Sequence, residues 1–189
     1  MKCASMTWPL TLLSDMDELI LLAPSLARTA QILDYKEKSL ENGARLHGAG
    51  GLDACDSVPG WLALLERKSR TETCPEGLVP DSTFLCVRTK DDLLVGMVNI
   101  RLRLNDYLVN YGGHIGYSIH PAQRGQGYGK RQLSLALDRC RGLGLSRALL
   151  TCDGSNEASR RVIAANGGIL EDIRTTPDGK RMQRWWITL

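Results

Sequence analysis

The sequence lacks the cysteine spacing that marks a metal or redox site. Its six cysteines are scattered, no two form a CxxC pair, and no cluster of histidines lies beside them. This scatter argues against a zinc site or a redox pair, and it predicts a reducing, cytoplasmic setting and no metal cofactor. The N-terminal segment also lacks the apolar run of a signal peptide or a membrane span, because Trp8-Pro9 and Asp15 interrupt it. We therefore expect no membrane association.

A strong excess of one charge is also missing. The chain carries 24 basic and 21 acidic residues, a formal net charge of +3. A nucleic-acid-binding surface usually has a denser basic stripe, so this balance favours a small anionic ligand and argues against nucleic acid. At 189 residues the chain is long enough for one domain with a proper core and short for two.

Apolar periodicity predicts a mixed α/β chain with the element order β-α-α-β-β-β-α-β-α-β-β. Ser57 is expected to cap the second helix, and Trp61 to lie in the core beneath it. The glycine-rich segment 42–57 predicts a mobile loop. The expected strands are 18–23, 83–88, 93–104, 114–119, 148–152, 168–173 and 182–188, and the expected helices are 28–42, 57–68, 131–140 and 157–165.

The segment HPAQRGQGYGK, residues 120–130, lies between a predicted strand and a predicted helix. It is not a nucleoside-triphosphate loop, because Arg124 stands where the first glycine is required and Arg131 replaces the hydroxyl residue. It is a poor dinucleotide fingerprint, because Lys130 occupies the position of the third glycine. The third alternative is Arg124-x-x-Gly127-x-Gly129, the pyrophosphate loop of acyl-CoA-dependent N-acyltransferases.

The chemistry of this loop suits a pyrophosphate. Gly125, Gly127 and Gly129 let the main chain approach an anion closely, and the following helix points free N–H groups at it. Arg124, Lys130 and Arg131 are expected to add positive charge. The simpler alternative is a helix start with glycines that serve packing alone.

The segment from about 83 to 168 resembles the GNAT superfamily of N-acetyltransferases. The match rests on the strand ending YSIHP, the loop RGQGYGK, its helix, the strand ALLTCD, and a helix that opens at Asn156 and closes at AANGG. The phrases GGHIGYSI and AANGG are similar to a bacterial branch of predicted acetyltransferases whose substrates are largely unassigned.

The resemblance implies a fold and a cofactor. The fold is a mostly antiparallel central sheet, splayed at the CoA site and flanked by helices. Acetyl-CoA is the co-substrate, and no metal is needed. We expect a single domain over 1–189, with acceptor-side helices and loops at 28–80, a CoA-binding core at 83–168 and C-terminal strands at 169–189.

The resemblance also implies the donor-binding residues. The main chain of Tyr117 and Ile119 would pair with pantetheine and polarise the thioester carbonyl. Asn156 would contact the pantetheine arm near Ser159, although a plain helix cap explains Asn156 equally well. The full cofactor-binding set is Tyr117, Ile119, Arg124, Gly125, Gln126, Gly127, Tyr128, Gly129, Lys130, Asn156 and Ser159.

The catalytic acid departs from the family pattern. Many members place a tyrosine seven residues after the motif asparagine, and Ile163 stands there in this chain. Ser159, a water molecule, Tyr117 or Tyr111 are the substitutes. Cys152 is a further residue near the expected splay, although a cysteine in an apolar strand is usually part of the core.

The base that accepts the amine's proton stays open among His114, His120, Glu157 and Asp153. His114 has a structural alternative as a hydrogen-bonded strand residue. The predicted acceptor-side residues are Tyr107, Tyr111 and His114, and His47 is either a gate or a solvated loop residue.

The function predicted is transfer of an acetyl group from acetyl-CoA to the primary amine of a small molecule, by direct attack in a ternary complex. The alternative is a CoA-binding module with little or no catalysis, which the isoleucine at the acid position suggests. Trp185 and Trp186 point to opposite faces of the last strand, and one of them is a candidate for a homodimer interface.

Overall fold

The computed structural model describes residues 17–41 and 45–189. The order of helices and strands agrees with the sequence prediction. The elements are β1 Leu19–Leu22, α1 Thr29–Leu40, α2 Val58–Lys68, β2 Asp81–Arg88, β3 Leu93–Arg101, β4 Ile115–Ile119, α3 Tyr128–Gly142, β5 Arg147–Asp153, α4 Glu157–Ala164, β6 Ile169–Thr175 and β7 Arg181–Thr188.

The strands form two antiparallel sheets, as the resemblance implied. The first has the order β1-β2-β3-β4 and the second the order β5-β7-β6. The β4 and β5 strands meet near one end of β4, where the His114 N–H donates to the Leu149 carbonyl at 2.7 Å. Beyond that point no β4–β5 ladder forms, so the two sheets part along the rest of β4.

The β3 strand is shorter than predicted. It ends at Arg101, which pairs with Asp81 of β2, rather than at residue 104. The alternating pattern of 102–104 finds no partner strand, because β2 starts at Asp81 and the first β4 pair is Ile115 with Ile100. The chain bends instead into a π-helical turn, Leu108–Gly112, and Leu102 is 50% exposed.

The helices lie on opposite faces of the first sheet. The predicted stripe of α3, which includes Leu133 and Cys140, packs with Val95 and Val98 in one core cluster. The α1 and α2 helices pack through Ile32 and other residues in the second cluster, on the other face. No helix in the described part of the chain is long and apolar enough to cross a membrane.

The first half of α2 follows the sequence prediction closely. The Ser57 hydroxyl accepts a hydrogen bond from the Gly60 N–H at 3.2 Å, and Pro59 lies in the first turn. Trp61 is fully buried, and its indole N–H donates to the Ala49 carbonyl at 2.9 Å. Trp61 is therefore a core residue, as expected.

The glycine-rich segment forms a loop, as its composition predicts, and part of this loop is buried. Its first residues, 42–44, lie outside the described part of the chain. From Arg45 onward it forms short turns, and Ala49 and Leu52 are each 1% exposed in the cluster beneath α1 and α2. Apolar side chains between the glycines anchor this segment to the core, and its mobility stays a prediction.

Candidate functional site

The edge of β4 that faces β5 carries main-chain groups that no strand pairs with beyond His114. The ladder between β4 and β3 has a hydrogen bond at each end. At one end the Arg101 N–H donates to the His114 carbonyl, and at the other the His120 N–H donates to the Val95 carbonyl. In an antiparallel ladder the residues that bond to one partner alternate with residues that face the other way. The N–H and C=O groups of Tyr117 and Ile119 therefore point into the gap between the sheets. We call this side the open edge of β4.

The glycine loop brings a helix N-terminus beside the open edge. Gly125 and Gly127 both have φ of 78°, a left-handed conformation that favours glycine. A Cβ on either residue would meet no heavy atom within 4 Å, so the loop surface is open. Gly127 supplies no side-chain cap to α3, and the first N–H groups of a helix have no partner within it. The arrangement is an anion cradle at a 15-residue helix.

The predicted loop residues play different parts. The Arg124 Nε donates to the Ile119 carbonyl at 3.2 Å, so this side chain crosses the end of the open edge. Gln126 and Lys130 are exposed. Gly129 lies against α4, since a Cβ there would be 3.3 Å from Val162 Cγ2.

The Tyr128 side chain points away from the loop surface. It is 3% exposed, and its hydroxyl receives a hydrogen bond from Arg88 Nη1 at 2.6 Å and donates to the Asp17 carboxylate. Of the Tyr128 groups, the main-chain N–H is the one that faces the anion cradle. Arg131 is likewise turned inward, to the Asp17 carbonyl.

The α4 helix faces the open edge with a serine and a capping asparagine. The Asn156 Oδ1 accepts a hydrogen bond from the Ser159 N–H at 3.0 Å, which is the helix-cap arrangement. The Ser159 hydroxyl lies 3.0 Å from the Tyr117 hydroxyl. Ile163 is fully buried, so the position of the family's usual tyrosine is part of the core.

The Tyr117–Ser159 pair spans the gap between the sheets. Burial raises the pKa of Tyr117 to about 12, against a smaller lowering by the hydrogen bond from Ser159. The phenol is therefore protonated at neutral pH and can donate a hydrogen bond. Cys152 is 5% exposed, and burial raises the pKa of its thiol, as suits a core cysteine.

The geometry of His114 favours its structural alternative. Its Nδ1 accepts the Leu149 N–H at 2.9 Å, and its ring lies 6.2 Å from that of Trp186. Burial also lowers its pKa, so the neutral ring carries its proton on Nε2. Neither ring nitrogen is then available to take a proton from an amine.

The other candidate bases are also engaged. The His120 ring accepts a main-chain N–H at Nδ1 and lies 3.0 Å from the Asp34 carboxylate through Nε2, as a strand-end residue would. Hydrogen bonds from Ser155 lower the pKa of Asp153. Glu157 is paired with an arginine of its own helix at 2.5 Å. None of these groups is a free base at the open edge.

The predicted acceptor-side tyrosines lie together on the π-helical turn. The rings of Tyr107 and Tyr111 are 5.7 Å apart, and Tyr107 is 64% exposed. The Tyr111 hydroxyl donates to the Thr175 carbonyl of β6 at 3.4 Å, so Tyr111 is directed toward the second sheet and away from Ser159.

Sequence reasoning missed a polar cavity on the α1/α2 face of the first sheet. Its volume is about 260 Å³, and we call it the polar cavity. Asn99 and Arg101 of β3 line it, and the turn at His47–Gly51 covers it. Arg101 and Arg103 alternate with Ile100 and Leu102 in the sequence, a pattern that by itself favours a solvent-facing side for the arginines. The one available signal of the cavity was that Asn99 shares the face of Arg101.

The comparisons with known proteins agree with this architecture. The family model described as the acetyltransferase (GNAT) family matches residues 55–167, which is more than half of the chain. The chain therefore belongs to the GNAT family, and it is an acetyltransferase. No curated protein matches the sequence.

Several solved structures share the fold at low identity. A Salmonella typhimurium protein solved with its cofactor acetyl-CoA has a TM-score of 0.59 and 16% identity, over 90% of this chain and 94% of that one. The spermidine/spermine N-acetyltransferase of Vibrio cholerae has a TM-score of 0.60 and 16% identity, over 90% of this chain and 95% of that one. The ribosomal-protein-S5-alanine acetyltransferase of Vibrio fischeri has a TM-score of 0.62 and 18% identity, over 90% of this chain and 91% of that one. These likenesses establish the fold.

Proposed function

We propose that this acetyltransferase moves the acetyl group of acetyl-CoA to the primary amine of a small molecule, by direct attack within a ternary complex. The observation that carries the proposal is the open edge of β4, flanked at one end by the glycine loop and crossed by the Tyr117–Ser159 pair. A pantetheine chain needs both a strand edge and a phosphate cradle, and the two adjoin here. A protein that only binds CoA would not need a protonated phenol beside the gap, whereas an acetyltransferase can use one as its acid.

The donor would be held mainly by the main chain. The pyrophosphate accepts hydrogen bonds from the N–H groups of the loop and of the first turn of α3, with Arg124 and Lys130 adding charge. Pantetheine lies along Tyr117 and Ile119 like an added strand. A β4 N–H that points into the gap polarises the thioester carbonyl as the tetrahedral centre forms. The residues used lie within 83–168, the predicted CoA-binding core of a single domain.

Tyr117 is the proposed acid. The amine nitrogen forms the new C–N bond, the C–S bond breaks, and the CoA sulfur departs as a thiolate that later takes its proton from water. A thiol has an ordinary pKa of about 8.5, well below that of Tyr117, so the phenol stabilises the thiolate chiefly as a hydrogen-bond donor. Ser159 holds the Tyr117 hydroxyl in place at 3.0 Å. The proton released by the amine leaves through water, since the candidate bases are engaged.

The test combines donor binding with turnover. Isothermal titration with acetyl-CoA should show one site per chain, and CoA release should rise above the amine-free rate with at least one member of an amine panel. Binding without turnover on any amine would favour the binding module. Absence of acetyl-CoA binding would contradict the donor site itself.

A further inference from the structure

Arg101 is a half-buried cation that has no carboxylate partner. Within residues 17–41 and 45–189, no acidic side chain forms an ion pair with it. Its Nη1 donates to the Gly113 carbonyl at 3.2 Å, and burial lowers its pKa. The Asp81 carboxylate, opposite Arg101 on β2, opposes this lowering through its charge, but its ion pair is with Lys68. A guanidinium that is largely buried without an anion in direct contact is costly to the fold. Such a group is typical of a site that an anionic ligand completes.

The polar cavity around Arg101 is a formed site. Asn99 is 1% exposed, and its Nδ2 donates to the Thr83 hydroxyl at 3.0 Å, while its Oδ1 has no partner. Buried amide atoms are nearly always hydrogen-bonded in native proteins, so the free atom of Asn99 indicates a missing ligand or water. The volume of about 260 Å³ suits a small molecule.

The charge of the polar cavity favours an anion. Arg45, Lys68 and Arg101 line it, against Asp53 as the acidic residue of the lining. Lys68 is neutralised by Asp81, whose Oδ2 lies 2.7 Å from Nζ. Arg101 and Arg45 remain in excess over Asp53.

The polar cavity adjoins the part of β4 where the thioester is proposed to lie. A Cβ built on Gly116 would be 3.5 Å from Gly48 N and 3.7 Å from Arg101 Nη2, so Gly48, Gly116 and Arg101 lie together on this face. On the same face, a Cβ on Gly48 would lie 2.5 Å from Tyr117 Cα, so Gly48 packs directly on β4 there. A ligand held by Arg101 would therefore stand beside the Gly48 turn, which separates it from Tyr117 by one layer of main chain.

We propose that the acceptor is a small amino acid-like molecule, whose carboxylate binds Arg101 and whose nearby amine faces the thioester beside Tyr117. This inference rests on the proposed acetyl transfer and adds the class of acceptor to it. A polyamine is disfavoured, because Arg45 and Arg101 repel it. This chain would thus differ from the structurally similar enzyme named for spermidine and spermine.

The experiment compares matched acceptors on matched variants. CoA release is measured with the twenty common L-amino acids, their C-terminal amides and spermidine, for the wild type, Arg101→Gln and Arg103→Gln. Arg103 is exposed near the end of the same strand and serves as the control. In the wild type, kcat/KM for at least one amino acid should exceed that for its amide by about 10- to 100-fold, the effect of charge-assisted hydrogen bonds. Arg101→Gln should remove most of that preference, and Arg103→Gln should keep it.

The inference and the proposed function fail in different ways. Turnover of spermidine or of the amides, with no preference for carboxylates, would overturn the inference and leave acetyl transfer standing. If no amine is turned over, titration of the amino acids into the CoA-saturated protein decides the inference, since binding that Arg101→Gln abolishes supports it. Absence of any amino acid binding would overturn it. A melting temperature for Arg101→Gln close to that of Arg103→Gln excludes a folding defect.

Discussion

The open edge of β4 and the polar cavity beside β3 lie on neighbouring strands of the first sheet, and they present different kinds of groups. The open edge presents main-chain N–H and C=O groups of Tyr117 and Ile119, together with a loop held in shape by Gly125 and Gly127. The polar cavity presents side chains from separate segments, chiefly Arg101. Main-chain recognition requires a particular backbone shape, which leaves glycines at fixed spacing in the sequence. Side-chain recognition requires only that distant residues meet.

The two regions should also differ in how much they contribute to ligand binding and to folding stability. Glycines on an open loop surface contribute to a ligand site without supporting the core. The polar cavity, in contrast, adjoins the buried ion pair of Lys68 and Asp81. Substitutions in the two regions should therefore have different signatures.

The largest expected effect is on donor binding. Gly127→Glu places a bulky anion in the pyrophosphate cradle at a φ of 78°, and it should abolish measurable acetyl-CoA binding, a loss of at least about 1,000-fold in Kd. The measurement is isothermal titration. Gly144→Glu is the matched control, because Gly144 has a φ of 85° and equally open space, beyond the other end of α3. Equal loss of affinity in both variants would contradict the placement of the pyrophosphate.

A substitution under the polar cavity should reduce stability instead. Lys68→Met leaves the Asp81 carboxylate buried without a cation, and it should lower the free energy of unfolding by about 3 kcal/mol. Urea denaturation measures this, with the exposed neighbour Arg67→Met as a control that should change little. The double variant Lys68→Met with Asp81→Leu should recover most of the loss. A cost below about 1 kcal/mol for Lys68→Met would show that the pair is not needed.

The same contrast explains how much of the molecule could be predicted from the sequence. The element order follows from local patterns of apolar residues, glycines and caps, and it was confirmed. The glycine loop was found from the same local patterns, and its binding of a pyrophosphate stays a prediction. The end of β3 depends on partners far along the chain, and here the prediction was wrong. The burial of the segment after residue 45 depends on such partners too. Arg101 reads as a solvent-facing residue of an alternating strand, because nothing nearby in sequence shows that the turn at 47–51 will cover it.

Tyr117 lies between the two regions. Its main chain lies on the open edge, and Gly48, which lines the polar cavity, packs against its Cα. Tyr117→Phe should lower kcat by about 10- to 100-fold with little change in acetyl-CoA affinity, because the acid acts on the departing sulfur and not on the bound thioester. Tyr111→Phe, at the other candidate acid, should be close to wild type.

Because the pKa of Tyr117 is about 12, its acid form persists through alkaline pH, and wild-type kcat should not fall between about pH 8 and 10. A larger loss in Tyr111→Phe, or a wild-type decline centred near pH 9, would assign the acid to another group.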